Sequence, residues 1–142
     1  MLAIEHLHTC NVLHRDLKPE NVLLATDGHI CLTDFGLAKE TDHRDSERTL
    51  CGTSEYMAPE MLTRNGYGKA VDWWSLGALF FEMMVGEAPF TGKTAKEVER
   101  KILSEKVLVA ISLSFSPFFS LSLLFAQEIC VSTATRSPTT LF

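Results

Sequence analysis

Hydrophobic and polar residues alternate along residues 1–106 with more than one period, as is typical of a chain that forms both helices and strands. The apolar spacing of residues 1–8 predicts the end of a helix. Two short apolar runs, at residues 22–24 and 29–33, predict strands, and the dipeptide Asp27-Gly28 between them predicts a hairpin turn. This mixture indicates a globular fold of the α/β or the α+β class.

Two later helices are predicted by different patterns. Residues 72–85 are apolar on nearly every face, which predicts a buried helix that ends at Gly86. The sequence TAKE at residues 94–97 matches a capping box and predicts the start of a surface helix. Residues 39–53 are polar and have no period, so they predict a loop. The apolar stripe of the surface helix would contain Ala95, Val98 and Ile102.

The composition changes after residue 106, where only two charged side chains remain and Ser, Leu, Phe and Val dominate. The 20 uncharged residues 107–126 are long enough to span a membrane, but the serines and the proline among them argue against a span. Membrane attachment is therefore not expected. We predict one folded domain over residues 1–106, and over residues 107–142 a tail that is either disordered or not authentic coding sequence.

The overall composition narrows the classes of function. A chain of 142 residues with 46% hydrophobic residues can bury a single core. Its formal net charge is −5 and its Lys and Arg residues are scattered, so a nucleic-acid partner is not expected. Four cysteines without CxxC spacing, and no signal peptide, favour reduced thiols in the cytosol or the nucleus. The group His6, His8 and Cys10 is explained better as a helix end than as a metal site.

Four short motifs occur in a fixed order: HRDLKPEN at residues 14–21, DFG at 34–36, APE at 58–60 and DWW at 72–74. A single Asp in a loop is easily explained as a turn former, but four motifs at matching spacing are not. Their order and spacing resemble the C-terminal lobe of eukaryotic Ser/Thr protein kinases, over residues 1–106. The resemblance implies an α+β fold, namely a mainly helical partial kinase lobe with short β-hairpins.

Two longer segments narrow the resemblance. Residues 49–60, TLCGTSEYMAPE, are similar to the activation segment of the AGC group of kinases. Residues 32–40, LTDFGLAKE, most resemble the kinases of ribosomal protein within that group. The resemblance implies a serine/threonine kinase that uses ATP and Mg²⁺, and protein substrates that carry an Arg upstream of the acceptor residue.

The resemblance also implies roles for the residues of the first two motifs. Asp16 would orient the attacking hydroxyl, and Lys18 would reach the transferred phosphoryl group. Asn21 and Asp34 would bind Mg²⁺ through an amide oxygen and a carboxylate, since hard cations prefer oxygen ligands. The residues implied around the nucleotide are Lys18, Glu20, Asn21, Leu23, Thr33 and Asp34. For Leu23 and Thr33, ordinary strand positions explain the residue types equally well.

Regulation would depend on the activation segment. Thr49 corresponds to the phosphorylation site of the group, and Arg15 would pair with the phosphate that an upstream activating kinase places there. Thr53 would hydrogen-bond near Asp16 and Lys18. The conformation of the activation segment would then affect the geometry of the catalytic loop.

Four further residues are implied in substrate selection. The resemblance implies that Glu20 and Glu82 recognise an Arg upstream of the acceptor. A Glu in an otherwise apolar helix also needs a partner, so Glu82 should face a cleft. The alternative for Glu82 is a helix-end residue in solvent. Leu50 and Met57 would line the pocket for the residue that follows the acceptor.

The family pattern also includes an N-terminal lobe with a Gly-rich loop, and no GxGxxG motif precedes the catalytic loop here. We therefore expect a truncated chain that is inactive on its own. The alternative is a non-catalytic kinase-like fragment that binds activators or substrates of a full-length relative. The intact set of Asp16, Lys18, Asn21 and Asp34 argues against that alternative.

Overall fold

A computed structural model describes residues 1–41 and 47–105 of the chain. The predicted tail over residues 107–142, including the apolar run, lies outside the described residues, as do residues 42–46 of the predicted loop. Among the helices that are described, none is both long and apolar enough to cross a membrane.

Helices form the larger part of the described structure, and the strands are short, which confirms the α+β class. The four α-helices are α1 (Leu2–Thr9), α2 (Pro59–Thr63), α3 (Ala70–Val85) and α4 (Ala95–Ser104). The four strands are β1 (Val12–Leu13), β2 (Val22–Leu24), β3 (Ile30–Leu32) and β4 (Lys39–Glu40). Two 3-10 turns, Pro19–Asn21 and Ser54–Tyr56, connect them to the helices.

The predicted hairpin is present and its turn lies at the predicted dipeptide. Strands β2 and β3 pair antiparallel, with Leu24 opposite Ile30 at the turn end. The Gly28 amide donates to the Ala25 carbonyl at 3.0 Å, and Gly28 has a φ of 85°, which a residue without a Cβ adopts at no steric cost. A local turn signal was therefore sufficient to predict this element.

The loop predicted over residues 39–53 is wrong at its first two residues. Lys39–Glu40 forms strand β4, which pairs antiparallel with Val12–Leu13. A strand of two polar residues has no period for a sequence pattern to show, and the strand that it pairs with contains the buried Leu13.

The core consists of two apolar clusters that share helix α3. One cluster lies between β1, α2, α3 and α4, and in it the Trp74 and Phe90 rings stack at 6.4 Å. The other lies between α1, the loop after β1, and α3. The first contains Leu13, Ala58, Met61, Tyr67, Val71, Trp74, Phe90, Val98 and Ile102. The second contains Ile4, Leu17, Leu76 and Leu79.

Helix α3 is buried over its first ten residues only, so the prediction of a fully buried helix is wrong for its end. The last buried residue is Leu79, whereas Met83 is 63% exposed and Val85 is 54% exposed. An apolar pattern shows that a face is hydrophobic but not whether another element covers it. The helix ends as predicted at Gly86, with a φ of 93°.

Helix α4 begins at the predicted cap. The Thr94 side chain accepts a hydrogen bond from the Glu97 amide at 3.3 Å, and the Glu97 carboxylate accepts one from the Lys93 amide at 3.0 Å. Val98 and Ile102 are buried, but Ala95 is exposed, so the apolar stripe is one residue shorter than predicted.

One buried carboxylate connects the two ends of the fold. Asp72, in the first turn of α3, is fully buried and accepts hydrogen bonds from the backbone amides of His14 and Arg15, each at 2.9 Å. The Nε2 of His8, in α1, donates a third at 2.8 Å. The loop after β1 is therefore attached to α3 through its main chain.

Replacing Asp72 by Ala should lower the free energy of unfolding by about 3 kcal/mol, because the buried His14 amide and the partly buried Arg15 amide lose their acceptor. Urea unfolding of the chain, followed by circular dichroism, measures the change. Glu87→Gln, at an exposed carboxylate, is the control and should stay within about 0.5 kcal/mol of the parent. An Asp72→Ala variant as stable as that control would contradict this account of the anchor.

Candidate active site

The loop after β1 is supported by the side chain of His14, which is fully buried. Its Nε2 donates to the Thr33 carbonyl at 3.2 Å, and its Nδ1 accepts from the Asp16 amide at 3.4 Å, so one tautomer satisfies both bonds. Its ring also meets the Phe35 ring edge-on at 5.2 Å. His14 therefore joins the loop that carries Asp16 to the end of β3.

The carboxylate of Asp16 is the most densely bonded acceptor in this loop. Its Oδ1 accepts from the Thr53 amide at 3.0 Å and from the Thr53 hydroxyl at 2.8 Å. Its Oδ2 lies 2.9 Å from the Lys18 ammonium, which also donates to the Thr53 hydroxyl at 3.1 Å. The structure thus places Asp16, Lys18 and Thr53 in one network.

The charges in this network stabilise one another. Burial alone would raise the pKa of Asp16, but the hydrogen bonds from Lys18 and Thr53 and the charge of Lys18 together lower that pKa below its usual value. The hydrogen bond with Asp16 raises the pKa of Lys18. At neutral pH the site therefore presents an ionised carboxylate beside an ammonium group, which suits a hydroxyl nucleophile that loses its proton.

Gly52 allows the activation segment to approach this loop. It has a φ of 100°, and a Cβ added there would lie 2.5 Å from the Arg15 carbonyl oxygen. Any other residue would force the two backbones apart. The glycine therefore brings the next residue, Thr53, within reach of Asp16.

Asn21 and Asp34 lie at the two paired ends of the hairpin. The Thr33 amide donates to the Asn21 carbonyl at 2.9 Å, and Asp34 is the next residue. The Asn21 side-chain amide donates to the Asp16 carbonyl at 2.9 Å, which leaves its Oδ1 as an available ligand. Asp34 is exposed and one of its carboxylate oxygens accepts from the Gly36 amide at 3.1 Å.

These donors fit a hard divalent cation. An amide oxygen and a carboxylate oxygen are ligands that Mg²⁺ accepts together with phosphate oxygens and waters. Within residues 1–41 and 47–105, no three His, Cys, Asp or Glu side chains form a group that could hold a metal ion. His8 bonds to Asp72 through its Nε2 at 2.8 Å.

The other three residues predicted around the nucleotide differ from one another in exposure and in position. Glu20 is exposed on the 3-10 turn that follows Lys18. Leu23 is 53% exposed on β2, so it occupies a position on the strand surface. The Thr33 hydroxyl donates to the Asn21 carbonyl at 3.2 Å, so it also helps to close the hairpin.

Arg15 has a partner that the sequence analysis missed. Its Nη1 lies 3.6 Å from the Glu47 carboxylate, and its Nε donates to the Leu37 carbonyl at 2.7 Å. Lys39 pairs with the other oxygen of the same carboxylate. Nothing periodic marks Glu47 in the polar stretch around it, whereas Asp72 could have been found as one of the two carboxylates, with Glu82, in an apolar helix.

Glu82 also has a partner, so its interpretation as a free helix-end residue is wrong. The Tyr56 hydroxyl donates a hydrogen bond to its carboxylate. Burial, followed by that hydrogen bond and the charges of Glu82, Glu20 and Glu55, raises the pKa of Tyr56. The two residues predicted for the pocket after the acceptor differ, since Leu50 is partly exposed and Met57 is buried.

Replacing Thr53 by Val should raise the pKa of Asp16, because burial then acts against the ionised form with one donor fewer. Carbon-13 NMR titration of the Asp16 carboxyl carbon measures the pKa directly. Thr53→Ser, which keeps the hydroxyl, is the matched control and should leave the pKa low. Identical titrations of the Val variant and the parent would show that the hydroxyl does not bond to Asp16.

Comparison with known proteins gives one consistent result. Residues 1–132 match the protein kinase domain family. The chain is 54% identical over 122 residues to a RAC family serine/threonine-protein kinase homolog of Dictyostelium discoideum, which is 84% of this chain and 26% of that protein. It is 51% identical over 105 residues to the serine/threonine-protein kinase AtPK1/AtPK6 of Arabidopsis thaliana, or 74% of this chain and 22% of that one.

A third relative covers more of the chain. Ribosomal protein S6 kinase alpha-2 of Mus musculus is 48% identical over 130 residues, which is 91% of this chain and 18% of that protein. The chain thus spans about a quarter or less of the length of these relatives. RAC and S6 kinases confirm the AGC resemblance, while the predicted domain boundary at residue 106 stays a prediction.

Proposed function

The chain belongs to the protein kinase domain family, and from that premise we propose that its residues carry the catalytic loop and activation segment of a serine/threonine protein kinase. The reaction is the transfer of the γ-phosphoryl group of ATP to a protein hydroxyl. The observation that supports it is the network in which Asp16, Lys18 and Thr53 bond to one another.

Asp16 is the group that acts on the nucleophile. Its ionised carboxylate accepts a hydrogen bond from the substrate hydroxyl and takes the proton as the new O–P bond forms and the bond to the leaving ADP oxygen breaks. Lys18, 2.9 Å from that carboxylate, places a positive charge where the transferred group becomes more negative. Thr53 holds both side chains in position.

Asn21 and Asp34 are the proposed ligands of Mg²⁺. When bound there, the cation would neutralise charge on the phosphates of ATP, which is the source of the phosphoryl group. Asn21 keeps its orientation through the bond to the Asp16 carbonyl, so the metal ligand and the base belong to the same loop. The exposed apolar side chain of Leu23 offers a surface under adenine, and Thr33 borders it.

Substrates with an upstream Arg are proposed because the charges of Glu82 and Glu20 both act on Tyr56. Glu82 bonds to the Tyr56 hydroxyl, and Glu20 and Glu55 act on the same residue electrostatically. A guanidinium group would relieve the repulsion among these carboxylates. Leu50 and Met57 stay predictions for the pocket beyond the acceptor.

Regulation by an upstream kinase at Thr49 is part of the proposal, with Arg15 as the phosphate partner. Thr49 is exposed and therefore accessible to another enzyme. A cytosolic or nuclear location is proposed from the cysteine pattern. That the chain is inactive on its own, and the alternative of a non-catalytic binding fragment, stay predictions.

The role of Asp16 is testable in a hybrid in which residues 1–105 replace the matching region of the Dictyostelium discoideum relative. Asp16→Asn should lower kcat about a thousandfold, because the proton acceptor is lost while the shape is kept. Steady-state transfer to a Ser peptide measures kcat, and nucleotide binding should be unchanged. Asp27→Asn, in the exposed turn, is the control. Full activity in Asp16→Asn would reject the assignment.

In the same hybrid, Glu82→Gln should reduce the preference for an upstream Arg. Gln still accepts the Tyr56 hydroxyl, so only the charge is removed. We expect the ratio of kcat/KM between peptides with and without that Arg to fall roughly tenfold. Glu87→Gln removes an exposed carboxylate beyond the end of α3 and should leave the ratio unchanged. An unaltered ratio in Glu82→Gln would remove Glu82 from substrate selection.

A further inference from the structure

Glu47 is a buried carboxylate for which the proposed reaction has no use. Its side chain is 7% exposed, and its two oxygens face two different cations. Oε1 lies 3.6 Å from Nη1 of Arg15, and Oε2 pairs with the Lys39 ammonium. The Arg15 side chain is itself only 8% exposed, so it requires an anion in contact, which Glu47 supplies.

The same carboxylate holds the residue that is expected to be phosphorylated. Its Oε1 accepts from the backbone amides of Arg48 and Thr49, each at 3.0 Å. Hydrogen bonds from Lys39 and then from the Thr49 side chain lower the pKa of Glu47 to about 2, and burial only partly opposes them. Glu47 is therefore ionised at neutral pH and bonded to the backbone amide of Thr49.

Tyr67 fixes the backbone on both sides of this contact. Its amide donates to the Glu47 carbonyl at 2.9 Å, and its hydroxyl donates to the Thr49 carbonyl at 2.6 Å. Nη1 of Arg15 lies 3.3 Å from the same hydroxyl. Burial raises the pKa of Tyr67 to about 12, so the hydroxyl stays protonated and can donate. Glu47 and Thr49 are thus held as a unit against Arg15.

A phosphate on Thr49 would need the cations that Glu47 already occupies. The phosphate carries nearly two negative charges and would stand beside a carboxylate that carries one. Two anions in contact repel each other unless each has its own cation, and here Arg15 and Lys39 are shared. The phosphate, which carries more charge, would bind these two cations more strongly than Glu47 does. Glu47 would then be displaced from them.

We propose that Glu47 is a positioning residue that occupies the place of the Thr49 phosphate in the unmodified chain and is displaced when Thr49 is phosphorylated. By bonding to Arg15 and fixing residues 47–49, it maintains the hydrogen bonds between Thr53 and Asp16 while Thr49 is not phosphorylated. The inference rests on the proposed function in one respect, namely that Thr49 receives a phosphate.

Amide hydrogen exchange of Thr53, whose amide donates to Asp16, is the readout. The full chain is compared with Glu47→Gln, each with Thr or with chemically introduced phosphothreonine at position 49. In the unmodified Glu47→Gln variant we expect the Thr53 amide to exchange about tenfold faster or more, because the segment loses its anion. Phosphothreonine should restore the parent rate. In the parent, phosphothreonine should leave the rate essentially unchanged.

Glu40→Gln, at an exposed carboxylate next to Lys39, is the matched control and should leave the exchange rate unchanged. An unaccelerated Thr53 amide in Glu47→Gln overturns the role of Glu47. Acceleration that phosphothreonine does not reverse also overturns it, because Glu47 would then be merely structural.

Failure of the proposed function would look different. If the phosphorus-31 resonance of phosphothreonine in Glu47→Gln titrates as in a free peptide, the phosphate does not bind Arg15. That result removes Thr49 as the regulatory site and overturns the displacement with it. The exchange rates of the two unmodified chains do not depend on the phosphate, so they test the positioning by Glu47 separately.

If Glu47→Gln does not fold, the parent chain alone provides the test. Displacement from Arg15 and Lys39 should raise the pKa of Glu47 from about 2 when phosphothreonine is present, as followed by carbon-13 NMR of its carboxyl carbon. A pKa that remains at about 2 in the phosphorylated chain overturns the displacement.

Discussion

The buried carboxylate of Asp72 is the constraint on which the rest of the site depends. It accepts hydrogen bonds from the backbone amides of His14 and Arg15 and from the ring of His8. It therefore fixes the main chain immediately before Asp16. A buried charge is unfavourable unless hydrogen bonds satisfy it, and three donors do so here. Because His14 in turn bonds to the Thr33 carbonyl after β3, the residue next to Asp34 is placed by the same anchor.

The candidate catalytic residues lie in irregular backbone, and the surrounding helices support that backbone. Arg15 and Asp34 have φ values of 69° and 57°, in a region that side chains with a Cβ rarely adopt. Such conformations persist only where neighbouring bonds determine them, as the Asp72 bond does for Arg15. Gly52 packs closely against the carbonyl of Arg15, so the segment that contains Gly52 contacts the strained backbone at Arg15.

The sequence predicted those parts of the fold whose signals are local. The hairpin at Asp27-Gly28 and the cap at Thr94 have short motifs, and both are present. Strand β4 and the partners of Glu47 were missed because a two-residue strand has no period, and because Arg15 lies far from Glu47 along the chain. The candidate catalytic residues were found by motif, but the anchor that positions them is visible only when α1 and α3 are brought together.

Two carboxylates that pair with cations contact the two ends of one short segment. Asp16 pairs with Lys18, and Glu47 pairs with Arg15 and Lys39. The pKa of each carboxylate is lowered, so its pairing stabilises the fold above the ordinary carboxyl pKa, and that stabilisation is lost as the pH falls through the lowered value. Residues 47–53 connect the pairs, and Arg15 belongs to one while its neighbour Asp16 belongs to the other. The two groups of charges are therefore joined both through residues 47–53 and through the adjacent residues Arg15 and Asp16.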